Sequence, residues 1–488
     1  MSIQPISPGA KPHVIIVGAG IGGLTLALLL ERAGVSYVVL EKTSSIKSLG
    51  SALSVSGQAT YLFRQLGIYE ELKEKSLVFE EIRAHDGDCK PTYNLDLRPG
   101  VPMAGTDWHI VARPVLYNII YDKIPKEKIH LGKRVLTILN GDVGARVDCT
   151  DGSTFDGDII VGADGAYSPV RQGLFKWLKK NNRLPSSDDV PMPYNCVCLV
   201  GQTGEVDPEE FPEIGKPISV FDNMASTTSS YTWAVFTTKQ RTICWAVVEH
   251  LDGSSSKEHD SFRNSDWGPE AAGAMAQAVR DFPIPNGGKS GMTLGHLIDK
   301  TDKDLISKVV LEEKVYKTWY GGRTVLLGDA CHKLNPAGGA GALSAIHDAL
   351  CLANWLNVLP SLSVDDLEKS FKEYYDERYP IVMAAYRSSK MFAKAHEKNT
   401  TGAIVRYMNS HMPKWLWMIA LKKTNAYRPQ ASFLEPAKDT GTLRPSSQPS
   451  LIKTRILMEA LLKKQGQQKQ GQQKTSSVLT TDVDPVSV

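Results

Sequence analysis

The chain alternates between two kinds of hydrophobic pattern. At both ends, short continuous apolar runs alternate with helix-length periodic segments, and the middle carries mostly short strand-like runs. HVIIV at 13–17 is apolar throughout, as expected of a strand buried on both faces. IGGLTLALLLERAG has helical length and stops at Gly34, and SYVVLE follows as a second strand. Residues 13–41 therefore predict a strand–helix–strand unit. Residues 57–75 and 113–124 predict helices, and 129–165 predicts short strands. Asp151-Gly152 there forms a hairpin turn between ARVDCT and STFDGDIIVGAD.

From 190 to about 320 the runs NCVCLVG, PISVFD, YTWAVFTTK and RTICWAVVEH are separated by polar loops such as LDGSSSKEHDS. They predict a second lobe built on an antiparallel sheet. The α/β character returns at 323–356. A long helical region follows, with Ser363 as N-cap and Asp365 and Asp366 suiting the positive helix start. After about 440 the chain is rich in Ser, Pro, Gln and Lys, and KKQGQQKQGQQKTSS predicts disorder. The division expected is a flexible segment 1–12, a first lobe 13–189 that resumes at 321–440 with C-terminal helices, an inserted strand-rich lobe 190–320, and a disordered tail 441–488. No repeat of solenoid length is present.

Composition narrows the class. A chain of 488 residues with 42% hydrophobic and 22% charged residues matches a soluble globular protein of two fused lobes. A net charge of +3 argues against a nucleic-acid partner. Seven cysteines form no disulfide framework, and Cys196-Val-Cys198 has neither redox nor zinc spacing, so a reducing compartment is expected and no metal. The first residues lack the apolar region of a secretory signal, and no run of about twenty apolar residues suggests a membrane span. A cytoplasmic location is expected.

Three stretches carry chemistry. Gly18-Ala19-Gly20-Ile21-Gly22-Gly23 matches GxGxxG between a strand and a helix. Gly18 permits the tight turn, Gly20 lets a pyrophosphate approach the helix N-terminus, and Gly23 lets helix pack on strand. Glu41 ends the second strand, where a carboxylate accepts from a ribose diol and repels a 2′-phosphate, which suits FAD or NAD better than NADP. The second stretch, DIIVGADGAYSPVR, brings a strand into Asp164-Gly165, followed by Ser168 and Arg171. In isolation a plain Asp-Gly turn is the simpler account of it. The third, RTVLLGDACHKLNPAGGAGALSAIHDALCLANWL, ends a strand at Gly328-Asp329. Pro336 stiffens its loop, and Gly338, Gly339 and Gly341 then open a helix. Its bare N-terminus, roughly half a positive charge, can stabilise an anion such as the pyrimidine edge of reduced flavin. NAD needs only the first stretch. A second acid and a second helix start about 300 residues on imply a longer ligand, and FAD has that length.

In this order the three motifs resemble the single-component flavin monooxygenases of the para-hydroxybenzoate hydroxylase type, over about residues 13–435. GDACHKLNPAGGAGALSAIHDALCLANW and RPQASFLEP look most like fungal secondary-metabolism members acting on terpenoid, polyketide or alkaloid skeletons. The resemblance implies a glutathione-reductase-type FAD-binding Rossmann lobe with an inserted antiparallel substrate lobe and C-terminal helices. It implies that Glu41, with Lys42 beside it, serves the adenosine ribose, and that Arg113 touches the ribityl-phosphate region. Asp164 would serve FAD and the nicotinamide cofactor, and Asp329 the ribityl or pyrophosphate region. Gly339, Gly341, Ala342 and Leu343 would face the pyrimidine edge. Gly50 to Leu53, including Ala52, would lie near the ring. Ala340 and Ser344 depart from the Gln and Asn common in the family.

The cycle so implied is reduction of FAD by NADPH or NADH, addition of O2 at flavin C4a, and transfer of one oxygen atom from the hydroperoxide to a hydrophobic or aromatic small molecule. Hydroxylation of a phenol would want a general base, whereas epoxidation would not. His109, Tyr231, Trp233 and Trp245 could line the cavity, although each is more simply a core or strand-surface residue. His332 reads as structural, and no catalytic acid or base is assigned. RYMNSHMPKWLWMIALKK at 406–423 sets Trp415, Trp417 and Met418 among Lys414, Lys422 and Lys423, which suits either peripheral membrane contact or a helix packed on the FAD lobe. Arg406 and Pro413 argue against a span. The competing readings are a flavin dehydrogenase or reductase of the same fold and a non-catalytic FAD-binding regulator. A halogenase would show WxWxIP and a disulfide reductase CxxxxC near the first unit, and neither occurs.

Overall fold

The first strand–helix–strand unit sits at the centre of a six-stranded sheet. The computed structural model describes residues 10–45, 52–226, 228–255, 269–285, 291–336, 339–394 and 400–478. The expectations for residues 1–9, for Gly50 and Ser51, for Gly338 and for 479–488 fall outside the described residues. Strand order is Tyr320–Gly321, Thr324–Leu326, Ile159–Gly162, His13–Val17, Ser36–Leu40, Ile129–His130, all parallel except the first. Val14, Ile15 and Ile16 are fully buried, which the uninterrupted apolar run requires. Helix Ile21–Ala33 ends where Gly34 turns left-handed at φ 66°. A Cβ on Gly22 would meet Leu327 at 2.8 Å and Ala345 at 3.1 Å, so bare backbone is what lets helix Gly341–Leu356 lie against the first helix.

The second sheet has seven strands, ordered Ser307–Glu312, Tyr194–Gln202, Ile243–Ser255, Tyr231–Thr237, Phe221–Ala225, Glu81–Asp86, Pro91–Asp96. Two features differ from the expected lobe. The last two strands come from the segment assigned to the first lobe, and Phe221–Ala225 pairs parallel with Glu81–Asp86, so the sheet is mixed. Arg83 fastens that junction with two 2.7 Å bonds to the fully buried Asp222, across 139 residues of chain. His85 adds a 2.9 Å contact to the same carboxylate.

One face of this sheet packs Met224, Trp233, Val235, Trp245 and Val247 under helices Pro269–Ala278 and Leu294–Asp299. The other face turns toward the first lobe. There Ile82, Phe221 and Phe236 share a core with Phe79, Trp108, Ile110 and Ala52. Ala52 and Ile110 belong to a small sheet of Ala52–Val55, His109–Ala112 and Leu77–Val78.

The tail departs from the expected disorder over its described part. Pro449–Val478 is helical, with Ser450 and Thr454 fully buried. The Glu377 carboxylate accepts the Ser450 N–H at 2.5 Å, an anion placed on a helix start. At the other end of the chain, within the segment expected to be flexible, the Ala10 N–H donates to the Leu359 carbonyl at 2.9 Å.

Candidate functional site

Four parallel strands, Ser36–Leu40, His13–Val17, Ile159–Gly162 and Thr324–Leu326, end side by side, and each is followed by one of the motif residues: Glu41, Gly18, Asp164 and Asp329. Three strand spacings, roughly 14 Å, separate the outer two. The glycine turn knits the row together. The Gly18 N–H donates to the Leu40 carbonyl at 2.8 Å, and Gly18 takes φ 107°. A Cβ there would meet the Ala163 carbonyl oxygen at 2.4 Å and Asp164 Cα at 2.9 Å. On Gly23 it would meet the Gly18 carbonyl oxygen at 2.0 Å. Gly20 differs: nothing lies within 4 Å of the Cβ position, so space stands open before the first helix.

Glu41 bends back over this turn. Its Oε2 accepts the Ala19 N–H at 2.9 Å, and Oε1 accepts from Thr43 N and Oγ1, both at 3.0 Å. Lys42 is exposed, and among the described residues no contact draws it into the row. Asp164 Oδ2 accepts the Val170 N–H at 3.1 Å, whereas Oδ1 is buried without a partner. Burial pushes its carboxyl up to about 6, against the hydrogen bonds from Ser168 and the Val170 N–H. Arg171, two turns inside the same stretch, serves structure: it donates to the carbonyls of Ala330 at 2.9 Å and Ala166 at 2.6 Å, tying the second motif to the third.

Asp329 Oδ2 accepts from Lys333 Nζ at 2.8 Å. Burial raises its carboxyl, but the charges of Lys333, His332 and Arg113 outweigh that and hold it below the ordinary value. Arg113, exposed at the start of helix Arg113–Tyr121, is thus close enough for its charge to act on Asp329. Ala52 pairs with Ala112, directly before Arg113, and Ser54 Oγ lies 4.0 Å from the Cβ position of Gly339. The strand Ala52–Val55 is therefore brought to both. Gly341 opens its helix with nothing within 4 Å of its Cβ position, and the N–H groups of Gly341, Ala342 and Leu343 have no partner within the helix.

A network that the motif reading passed over holds this helix start. Asp348, fully buried, accepts from His332 Nε2 at 2.5 Å, from the Gly328 N–H at 3.0 Å and from Arg378 Nε at 2.8 Å. Arg378 also reaches the Ser344 carbonyl at 3.4 Å, and Tyr374 donates to the Leu326 carbonyl at 3.0 Å. A carboxylate on an otherwise apolar face, in SAIHDALCLANW, was the signal available. Cys331, His332 and Asp348 cluster closely enough to suggest a metal, but the Arg378 cation on the same carboxylate opposes one. His332 is fully buried, with its Nε2 on the Asp348 carboxylate. His109 is buried against Ser76 and Tyr69, and burial lowers its basicity. Tyr231, Trp233 and Trp245 lie on the sheet face turned from the first lobe, with Tyr231 and Trp233 packed on Phe282, so they do not line a cavity toward it.

Residues 11–184 and 296–389 match the family described as FAD binding domain. The chain belongs to this FAD-binding family. It is 31% identical over 399 residues to the FAD-dependent monooxygenase ptmM of Penicillium ochrochloron, covering 79% of this chain and 89% of that one. It is 32% identical over 401 residues to the FAD-dependent monooxygenase paxM of Penicillium paxilli, covering 79% of each. The FAD-binding chain is thus an FAD-dependent monooxygenase. Its fold is shared with HpxO of Klebsiella pneumoniae, solved with FAD and uric acid (TM-score 0.67, 19% identity, 86% of this chain and 97% of that one). PqsL of P. aeruginosa, solved with 2-aminobenzoylacetate, shares it as well (TM-score 0.60, 20% identity, 81% and 99%).

Proposed function

We propose that FAD lies along the row of strand ends, and that the sheet above it takes a flat, largely apolar substrate. Glu41 receives the adenosine ribose and the open space at Gly20 the pyrophosphate. Asp164, Arg113 and Asp329 meet the middle of the cofactor, and Ala52 and Gly339 flank its ring. The cradle fits: two open glycine positions, an unpartnered buried carboxylate oxygen and a cation beside Asp329 all suit an extended, anionic, hydroxyl-rich molecule. Lys42 serves at most as an outer charge. When bound, FAD would supply the redox chemistry: two electrons from NADPH or NADH and one O2 would put one oxygen atom on the substrate and release the other as water. The free N–H groups of Gly341, Ala342 and Leu343 would stabilise negative charge on a bound flavin.

One observation carries the substrate reading. Across the inward face of the second sheet, paired residues form the row Tyr93, Ala84, Asn223, Ala234, Ala246, Val200, Ser307. Its middle is small side chains, flanked by Ile82, Phe221 and Phe236 on one side and by Thr232, Val248 and Cys198 on the other. Asn223, Ala234 and Ala246 are partly open, and no partner for the Asn223 amide is found among the described residues. A trough of alanines admits a broad planar skeleton, and one amide orients it. The apolar roof excludes water, which protects oxygen transfer from wasteful release of peroxide. The paired row itself holds no carboxylate, histidine or cysteine; Cys198 flanks it and His250 stands behind Thr232 at 3.3 Å, so no proton acceptor faces its alanine centre, which favours an electron-rich alkene over a phenol that would need deprotonation.

The test is spectroscopic and then kinetic. Purified protein should be yellow, and NADPH oxidation should rise with prenylated or polycyclic aromatic compounds in step with O2 uptake. Substrate-stimulated NADPH oxidation without O2 uptake would instead mark a dehydrogenase. A flavoprotein that oxidises no nicotinamide would mark a regulator.

A further inference from the structure

Two helices near the C-terminal end leave apolar side chains uncovered. On Thr400–Ser410, Ile404, Tyr407 and Met408 share one face by their i, i+3, i+4 spacing and are 59%, 64% and 61% exposed. On Lys414–Ala426, Trp415 is 65% exposed, Leu416 41% and Ile419 54%. Scattered apolar residues on a surface are ordinary, but six exposed along two consecutive helices, a large indole among them, are not.

The second helix is docked by its opposite face. Trp417, Met418 and Leu421 pack into the core of Phe79, Leu97 and Ile110, and Trp417 Nε1 donates to the Asp96 carbonyl at 2.7 Å. Packing on the body of the protein and an uncovered apolar face are therefore both present, on two sides of one helix.

Charge identifies what covers the free side. Between Glu397 and Glu435 the chain has no aspartate or glutamate. Lys422 and Lys423 are exposed and stand three and four residues beyond Ile419, on either side of the Trp415–Ile419 stripe. Lys414 is exposed at the helix start. An apolar centre with a tryptophan, a lysine rim and no acid on either helix is the complement of anionic headgroups over an acyl boundary. No helix among the described residues is long and apolar enough to cross a membrane, so the contact is with one leaflet.

We infer that this face seats the protein on a bilayer surface bearing anionic lipid. The seating has a consequence for supply. The core behind helix Lys414–Ala426 is shared with Ile82, Phe221 and Phe236, the row beside the alanine trough. Membrane contact therefore holds the substrate lobe close to lipid, where an apolar substrate concentrates.

Flotation of the FAD-loaded full chain with vesicles tests this. Vesicles of phosphatidylcholine with phosphatidylserine should carry the protein, phosphatidylcholine alone should not, and salt should release it. Trp415→Ser combined with Ile419→Ser should abolish flotation. Lys422→Gln with Lys423→Gln should weaken binding roughly thirtyfold, at the usual contribution of each lysine near an anionic surface. Both variants should keep the wild-type flavin spectrum, which reports a folded chain and scores the cofactor reading separately. Wild type that stays unbound on phosphatidylserine vesicles overturns the inference, as does flotation of both variants like wild type. A patch that mediates self-association instead would show as Trp415→Ser/Ile419→Ser converting a dimer to a monomer in sedimentation with no vesicle binding, and that result also overturns it.

Discussion

Arg378 and Asp348 meet at 2.8 Å with neither side chain reaching water, directly behind the glycine-rich helix start at Gly341. The carboxylate is held well below its ordinary value, because the charges of His332 and Arg378 outweigh the burial that raises it. Such a pair gives little net stability but is costly to break. Asp348→Ala leaves a buried guanidinium without its anion and frees the Gly328 N–H. It is expected to lose about 3–5 kcal/mol in denaturant unfolding. FAD content should fall with it, because Gly328 loses its anchor and Arg378, which holds the Ser344 carbonyl, loses its partner.

His347, the next residue back, donates its Nε2–H to the Gln58 carbonyl at 3.0 Å. Burial, helped by the Arg378 charge, pushes its pKa down to about 3. The unfolded chain takes up this proton near the ordinary 6.5 and the native state does not. Stability is therefore complete above 6.5 and is lost as pH falls toward 3, at about 1.4 kcal/mol per pH unit. His347→Gln should flatten that limb of the stability profile measured by urea unfolding.

Two glycines of the first motif should fail differently. Gly23→Ala forces a methyl onto the Gly18 carbonyl oxygen, 2.0 Å away, and should cost about 1–3 kcal/mol in the cofactor-free protein. Gly20→Ala meets nothing within 4 Å and should leave the melting temperature of that protein unchanged. Its methyl stands where the pyrophosphate would approach. Losing one hydrogen bond to a charged group, about 1.5–3 kcal/mol, should weaken FAD tenfold or more in a fluorescence titration.

Asp164 links cofactor binding to pH. With its pKa pushed up to about 6 in the cofactor-free protein, a carboxylate that accepts from the ligand must first release a proton at lower pH. FAD affinity should hold above 6 and fall about tenfold per pH unit below it. Asp164→Asn should bind more weakly at every pH and show no such slope.

The trough can be filled. Ala234→Phe should leave the flavin spectrum intact and remove substrate-stimulated O2 uptake. Asn223→Leu, which deletes one neutral hydrogen bond of about 0.5–1.5 kcal/mol, should raise KM several-fold with little change in kcat.

Local spacing made much of this protein legible. The period of two or 3.6, a glycine where backbone must come close, and an acid at a strand end are properties of short stretches. The unit at 13–41, the hairpin at Asp151-Gly152 and the glycine turn with Glu41 could be read from them, whereas Asp164 and Asp329 stood out only when the three motifs were taken together. The tertiary structure alone decided which residues meet across long separations. Asp222 draws Arg83 and its strand into the second sheet, and Glu377 caps a tail helix whose composition argued for disorder. The pleat of that sheet turns Trp233 and Trp245 to one face and Asn223 and Ala234 to the other. Alternation announces that a strand has two faces, but the choice of which one meets the cofactor lobe depends on what else is packed there, and no local pattern carries that information.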